Sequence, residues 1–250
     1  MASTQAPLAR IRIGTAGWSI RRDQAGPFAA DGSSLTRYAS VFSCVEINSS
    51  FYRPHKPETY ARWAESVPED FRFAAKLPRT ITHDARLRDA EGLLDTFLPG
   101  VLMLGQRLGV LLVQLPPSLR FDAAQAEHFF GHCAAAWPGV WACEPRHASW
   151  FTAEAKALLA RFAVTRVGAD PALSPAAATP LPQAGLGYWR LHGSPKIYYS
   201  AYGAEALDAL AADLGEAPLT EAWCIFDNTA EGEALPNALA LRDRLEPVRA

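Results

Sequence analysis

The feature that most constrains this chain is a series of short apolar segments, each closed by polar or Gly/Pro residues: Ile11–Thr15, Ser43–Ile47, Phe71–Lys76, Val110–Leu115, Val140–Glu144, Val164–Gly168, Tyr188–Leu191 and Ala222–Phe226. Runs of this length and composition read as buried strands. Most of the intervals between them have helical spacing, and strands alternating with helices build a parallel sheet through right-handed crossovers. Such a series matches the strand count of a (β/α)8 barrel of TIM type, and the 250 residues fit the roughly 250 that such a barrel occupies. The expected fold is α/β: one closed barrel over residues 1–250, with 1–10 as a flexible N-terminal stretch.

The helix signals agree with that alternation. Ser33 or Ser34 can cap a helix carrying Leu35, Tyr38 and Ala39, and Pro57 suits the first turn of one carrying Tyr60 and Trp63. Asp122 with Gln125 reads as a capping box, and Thr152 caps the Ala-rich stretch to Phe162. Further helices are expected at Leu93–Leu108, Glu205–Leu214 and Pro236–Leu245. The exception is 170–183, where Pro171, Pro175, Pro180 and Pro182 make helix six short or absent. Because it follows a strand, that segment is expected over the C-terminal face, as a lid or as a rigid surface loop.

Composition narrows the partners. A formal net charge of −2 provides no overall basic field, so nucleic acid is not the expected partner, although a local basic site would still admit it. No apolar run approaches the ~18 residues of a membrane span, and the N-terminal residues lack a signal-peptide core, so no membrane association and a cytoplasmic location are expected. Cys44, Cys133, Cys143 and Cys224 are widely spaced without a CxxC pair and read as buried reduced thiols. No Walker loop, strand-linked GxGxxG or GxSxG elbow is present. His128 and His132 lack the glutamate of a zinc-protease helix, and no cofactor or metal is expected.

Chemistry concentrates at the strand ends. Side chains alternate along a strand, so Glu46 with Asn48, Glu144 with Arg146, and Arg190 with His192 each share a face. Lys76 and Gln114 end the third and fourth strands. Aimed into a barrel, these groups gather acids, guanidiniums, an ammonium and an imidazole at the C-terminal mouth, where such barrels build their sites. Alternatively the charges only neutralise one another as structural pairs. The loop Gly193-Ser194-Pro195-Lys196 is either an anion contact or ordinary turn punctuation, and Tyr52, Trp150 and Tyr202 are either ligand walls or loop packing. Strands four and seven end in Gln114 and in Arg190 with His192, not in the paired carboxylates of a glycosidase.

The strand ends also carry a recognisable series: GTAGWS from Gly14, VEINSSFY from Val45, FAAKLPRTITH from Phe73, VQLPPSL from Val113, EPRHASW from Glu144, YWRLHGSP from Tyr188 and IFDNTAEG from Ile225. In this order the blocks resemble the YecE-like family (DUF72), whose chemistry is unassigned. The resemblance implies a TIM barrel. The chain departs from the family pattern after the first strand, where it reads Ile20-Arg21-Arg22, and at Pro145 between Glu144 and Arg146.

The leading expectation is an enzyme that holds a small anionic or phosphorylated ligand with Lys76, Arg146 and Arg190, assisted by Asn48, Gln114, Asn228, Lys196, Tyr52, Trp150 and Tyr202, while His192 with Glu46 or Glu144 exchanges protons. Two alternatives stand beside it. In one, a metal-dependent phosphodiesterase or nucleic-acid-processing barrel, Glu46, Glu144, His192 and Asp227 hold cations. In the other, a non-catalytic metabolite-binding barrel uses the same mouth for affinity alone.

Overall fold

The structure, a computed structural model, describes residues 10–245. Of the stretch expected to be a flexible N-terminus only Arg10 is described, and it opens the first strand; the rest lies outside the described residues. The strands are β1 (Arg10–Thr15), β2 (Cys44–Ile47), β3 (Arg72–Lys76), β4 (Leu108–Gln114), β5 (Val140–Glu144), β6 (Thr165–Arg166), β7 (Gly168–Asp170), β8 (Leu186–Leu191) and β9 (Glu221–Phe226). The helices are α1 (Ser34–Tyr38), α2 (Pro57–Glu65), α3 (Glu91–Val101), α4 (Ala123–Ala136), α5 (Ala153–Arg161), α6 (Pro175–Ala178), α7 (Ala204–Glu216) and α8 (Ala234–Leu245). All strand pairings are parallel, in the orders β2-β3-β4-β5-β6 and β1-β9-β8-β7.

The architecture is therefore α/β and of TIM-barrel type, but the expected closed ring is open at two seams. Between β1 and β2 only Ala16 and Glu46 bridge directly. The Tyr38 phenol stands in the gap, accepting from Thr15 N–H at 2.9 Å and donating to the Cys44 carbonyl at 3.1 Å. A side chain thus satisfies the buried backbone groups that a strand ladder would otherwise pair. The second seam divides the expected sixth strand. Its first half pairs with β5, its second half with β8, and Val167 between them donates to Cys143 O at 2.8 Å.

Segment 170–183 does not cross the mouth. It holds a single four-residue helix, α6, after which Leu181 pairs antiparallel with Arg166 and Gln183 N donates to Thr165 Oγ1 at 3.2 Å. It runs back beside the strand in the place of a helix, because its prolines remove the donors a longer helix needs. The helix expected over Leu93–Leu108 is also shorter. It passes at Leu102 into a 3-10 stretch interrupted at Gly105, where φ is 53°, and β4 begins at Leu108.

Two apolar layers hold these elements together. One lies between sheet and helices; the other fills the lumen with Cys44, Ala74, Val110, Leu112, Ala142, Tyr188, Trp223 and Ile225. Tyr188 and Trp223 stack with centroids 5.8 Å apart. Gly14 is required where β1 passes β2, since a Cβ there would lie 2.5 Å from the Cys44 carbonyl oxygen. Arg12 plugs the N-terminal end, paired with Glu221 and donating to Asp70 O at 2.9 Å. All four cysteines are buried and free of disulfides.

At α4 the Asp122 carboxylate accepts from Gln125 N at 3.1 Å, while the Gln125 side chain turns to Arg86 O instead of closing the expected box. Asp122→Ala should therefore cost about 1 kcal/mol of stability in urea denaturation. A change near zero would show that the cap contributes nothing.

Candidate functional site

The site begins with Arg190 on β8, 1% exposed, in the layer above the Tyr188–Trp223 stack. Its Nε and Nη2 donate to Glu46 Oε2 and Oε1 at 2.9 and 2.7 Å, a bidentate clamp across the lumen. Nη1 donates to Glu144 Oε2 at 2.5 Å, and Nη2 also reaches Asp227 Oδ2 at 2.9 Å. Burial alone would weaken the hold of Arg190 on its proton, but the carboxylates of Glu46, Glu144 and Asp227 outweigh it and raise its pKa well above the ordinary value. Tyr188, two residues earlier on the same face, donates its hydroxyl to Glu46 Oε2 at 3.0 Å.

His192 continues the same face just past the end of β8 and is fully buried. Its Nδ1 lies 3.0 Å from Asp227 Oδ2; its Nε2 lies 3.0 Å from Glu144 Oε1 and 2.6 Å from Arg146 Nη2. A carboxylate can only accept, so Nδ1 turns a proton to Asp227, while Nε2 stands between an obligatory donor, Arg146, and an obligatory acceptor, Glu144. That is the arrangement in which a carboxylate orients a histidine for proton transfer. Arg146 is also 2.5 Å from Glu144 through Nε, yet that pair lacks the alignment of a hydrogen bond. Burial raises the Glu144 carboxyl, but Arg146, Arg190 and His192 outweigh it and hold it well below the usual carboxylate range. Asp227 is likewise held below its ordinary value, burial being overcome by Arg190 and the His192 hydrogen bond.

Lys76 at the end of β3 differs from the rest. It is 7% exposed and stands over the Phe51 ring with Nζ 4.1 Å from the centroid, and its ammonium makes no hydrogen bond or ion pair with a described residue. Burial, then the neighbouring Arg190 guanidinium, pushes its pKa down to about 8 against the opposing pull of Glu46, Asp227 and Glu144.

The structure thus brings Glu46, Lys76, Glu144, Arg146, Arg190 and His192 into one cluster. The remaining residues singled out in the sequence surround it or lie apart. Asn48 has a buried Oδ1 without a partner; Gln114 turns its amide to Leu115 O at 2.8 Å. Asn228 ties Ser200 O to Asn237, and the Tyr202 hydroxyl latches Gly193 N to Asp170, so both brace the loop after β8. Lys196 is exposed and stacked on Tyr199, and Tyr52 is 75% exposed. Trp150 is packed away from the cluster, buried against Phe121 and Phe130 with Nε1 donating to Leu119 O at 3.0 Å.

Three members escaped the sequence argument as ligand-site residues. Asp227 reads from the sequence as a metal ligand alone, although its place two residues beyond Ile225 on the lumen face puts it with the others. Tyr188 was legible from the same alternation. Tyr198, one of the aromatics just beyond a strand end, reads from the sequence as loop packing, yet a left-handed loop backbone at φ 71° sets its ring edge-on over His192 with centroids 5.7 Å apart. Among the described residues no group of three or more His, Cys, Asp or Glu is disposed to hold a metal ion, and no helix is long and apolar enough to cross a membrane.

Comparison with known proteins adds the family. Residues 12–250 match the family described as "Protein of unknown function DUF72". The Escherichia coli UPF0759 protein YecE is 44% identical over 84 residues, which cover 34% of this chain and 31% of that protein, so the match spans about a third of the curated relative's length. A DUF72 family protein from Thermotoga maritima superposes with a TM-score of 0.78 at 25% identity, covering 95% of this chain and 100% of that one. One from Enterococcus faecalis gives 0.76 at 21% identity, covering 96% and 97%. By the span of the family match, the chain belongs to the DUF72 family, to which the strand-end motifs had pointed.

Proposed function

We propose that this protein is an enzyme that binds a small anionic ligand, phosphorylated compounds among them, at the C-terminal mouth and exchanges protons there through His192 and Glu144. The observation that carries this is the Lys76 ammonium, buried without a counter-ion among the described residues while Glu46, Glu144 and Asp227 are all taken up by Arg190. Burying an unpaired charge is costly, so the geometry favours a partner that arrives from solution. The loops after β2 to β5 support the same sign of ligand: they carry Arg53, Lys56, Arg79, Arg86, Arg88, Arg120 and Arg146 against Asp84, Asp89 and Asp122, in a chain that is acidic overall.

Within this proposal Arg190 and Glu46 position the others rather than meet the ligand, since their polar atoms are already paired. Arg146 is the movable member. Drawn toward an incoming anion, it would leave Nε2 of His192 free to accept a proton, with Asp227 holding the ring. Binding and activation of the base then become one event.

Thermal unfolding in inorganic phosphate, against chloride at equal ionic strength, tests the reading. At about a hundred times its Kd, phosphate should add about 2.7 kcal/mol and raise Tm by roughly 5–10 °C. The shift should disappear in Arg146→Met. A wild-type response no larger than that to chloride would remove the anionic ligand from the proposal.

A further inference from the structure

We propose that Lys76 forms an imine with a small carbonyl compound that also bears a carboxylate or phosphate, the amine at the end of β3 acting as the nucleophile of the site. This deepens the reading above and rests on it for where the ligand sits. Of the four lysines, Lys56, Lys156 and Lys196 are exposed, and only Lys76 is enclosed. Its Nζ faces the Phe51 ring and is committed to no acceptor among the described residues, so the lone pair that deprotonation exposes is unblocked. The charged and titratable groups around it are Arg190 on β8, Glu46 on β2, Glu144 on β5, Asp227 on β9 and His83 in the turn that follows β3.

An apolar wall and an adjacent guanidinium are the two means by which proteins make a lysine nucleophilic. Both are present here, and they bring the amine close enough to neutrality to react near physiological pH. In the step itself the neutral amine attacks the carbonyl carbon, the N–C bond forms and the carbonyl C–O bond breaks. The oxygen leaves as water with the two amine protons, and the imine nitrogen takes one proton from solvent. The resulting cation draws electrons from the neighbouring carbon, whose proton then becomes the natural target of His192 or Glu144.

Full-length protein is incubated separately with glyoxylate, pyruvate and dihydroxyacetone phosphate in the presence of sodium cyanoborohydride, which reduces an iminium to a stable secondary amine, and is then digested for peptide mass spectrometry. At least one compound should add a single reduced adduct on Lys76, at least about tenfold above any other lysine, and none on that peptide in Lys76→Arg. No adduct with any of the three compounds, or labelling spread evenly over the four lysines, would overturn the imine. The phosphate shift on the same preparation separates the two ideas. A shift without an adduct leaves the anion site and removes the imine; an adduct without a shift keeps the imine and removes the separate site for a free anion.

Discussion

Arg190→Met is expected to lower the stability of the protein by about 3–5 kcal/mol, the range observed when one partner of a buried ion pair is removed. Two features place Arg190 at the top of that range. Its guanidinium serves three carboxylates at once, and both it and Glu46 are essentially without solvent. Methionine fills the space but leaves Glu46 with only the Tyr188 hydroxyl, while Glu144 retains Arg146 and Asp227 retains His192.

The pH dependence of that loss has a definite sign. In the wild type the Glu144 and Asp227 carboxyls are depressed, so their contribution is present above their unfolded values and fades as pH falls through the still lower folded ones. Without the guanidinium, Glu144 keeps Arg146 and Asp227 keeps His192, but burial is less opposed and both acids shift toward protonation. The deficit should therefore be largest near pH 8 and shrink toward about pH 5, as guanidinium-chloride titrations of both proteins would show. A loss under about 1 kcal/mol, or one independent of pH, would mean that the three acids do not depend on Arg190.

How much of this was legible in the chain follows from the period of the structure concerned. Side chains on a strand repeat every two residues, so the pairs Glu144/Arg146 and Arg190/His192 announce a shared face wherever the strand is recognised. Parallel strands then bring such faces to one end, which is why the members of the cluster could be named together. Two things had no periodic signature. The seam between β1 and β2 depends on Tyr38, a helical residue whose phenol reaches the strand backbone; in the sequence it is simply one apolar position of α1. His192 is the first residue past β8 and keeps the strand's alternation, whereas Trp150 comes six residues past β5, and the short 3-10 turn Ala148–Phe151 directs its indole into the layer beneath Phe121 and Phe130. Direction beyond a strand end is set by turn geometry, which residue type does not encode.

Lys76→Met should act in the opposite sense to the arginine change and stabilise the fold. Methionine matches the unbranched stem and keeps a favourable sulfur contact with Phe51, while the desolvated ammonium is gone. Depression of the lysine pKa from 10.5 to about 8 corresponds to about 3 kcal/mol of cost borne by the wild type at every pH below 8. Between those two values the unfolded chain binds the proton and the folded one does not, so wild-type stability rises with pH across that window. The variant should accordingly be more stable by up to about 3 kcal/mol at pH 7, with the advantage closing as pH approaches 10.5. The same variant should no longer respond to phosphate. A charge that destabilises the fold and is nonetheless kept at the mouth of a barrel is what a binding or catalytic role produces, because stability there is subordinate to function. Denaturant titrations of both proteins across this pH range decide the matter: if Lys76→Met is the weaker protein at neutral pH, the ammonium is a structural member and the mouth needs no ligand to complete it.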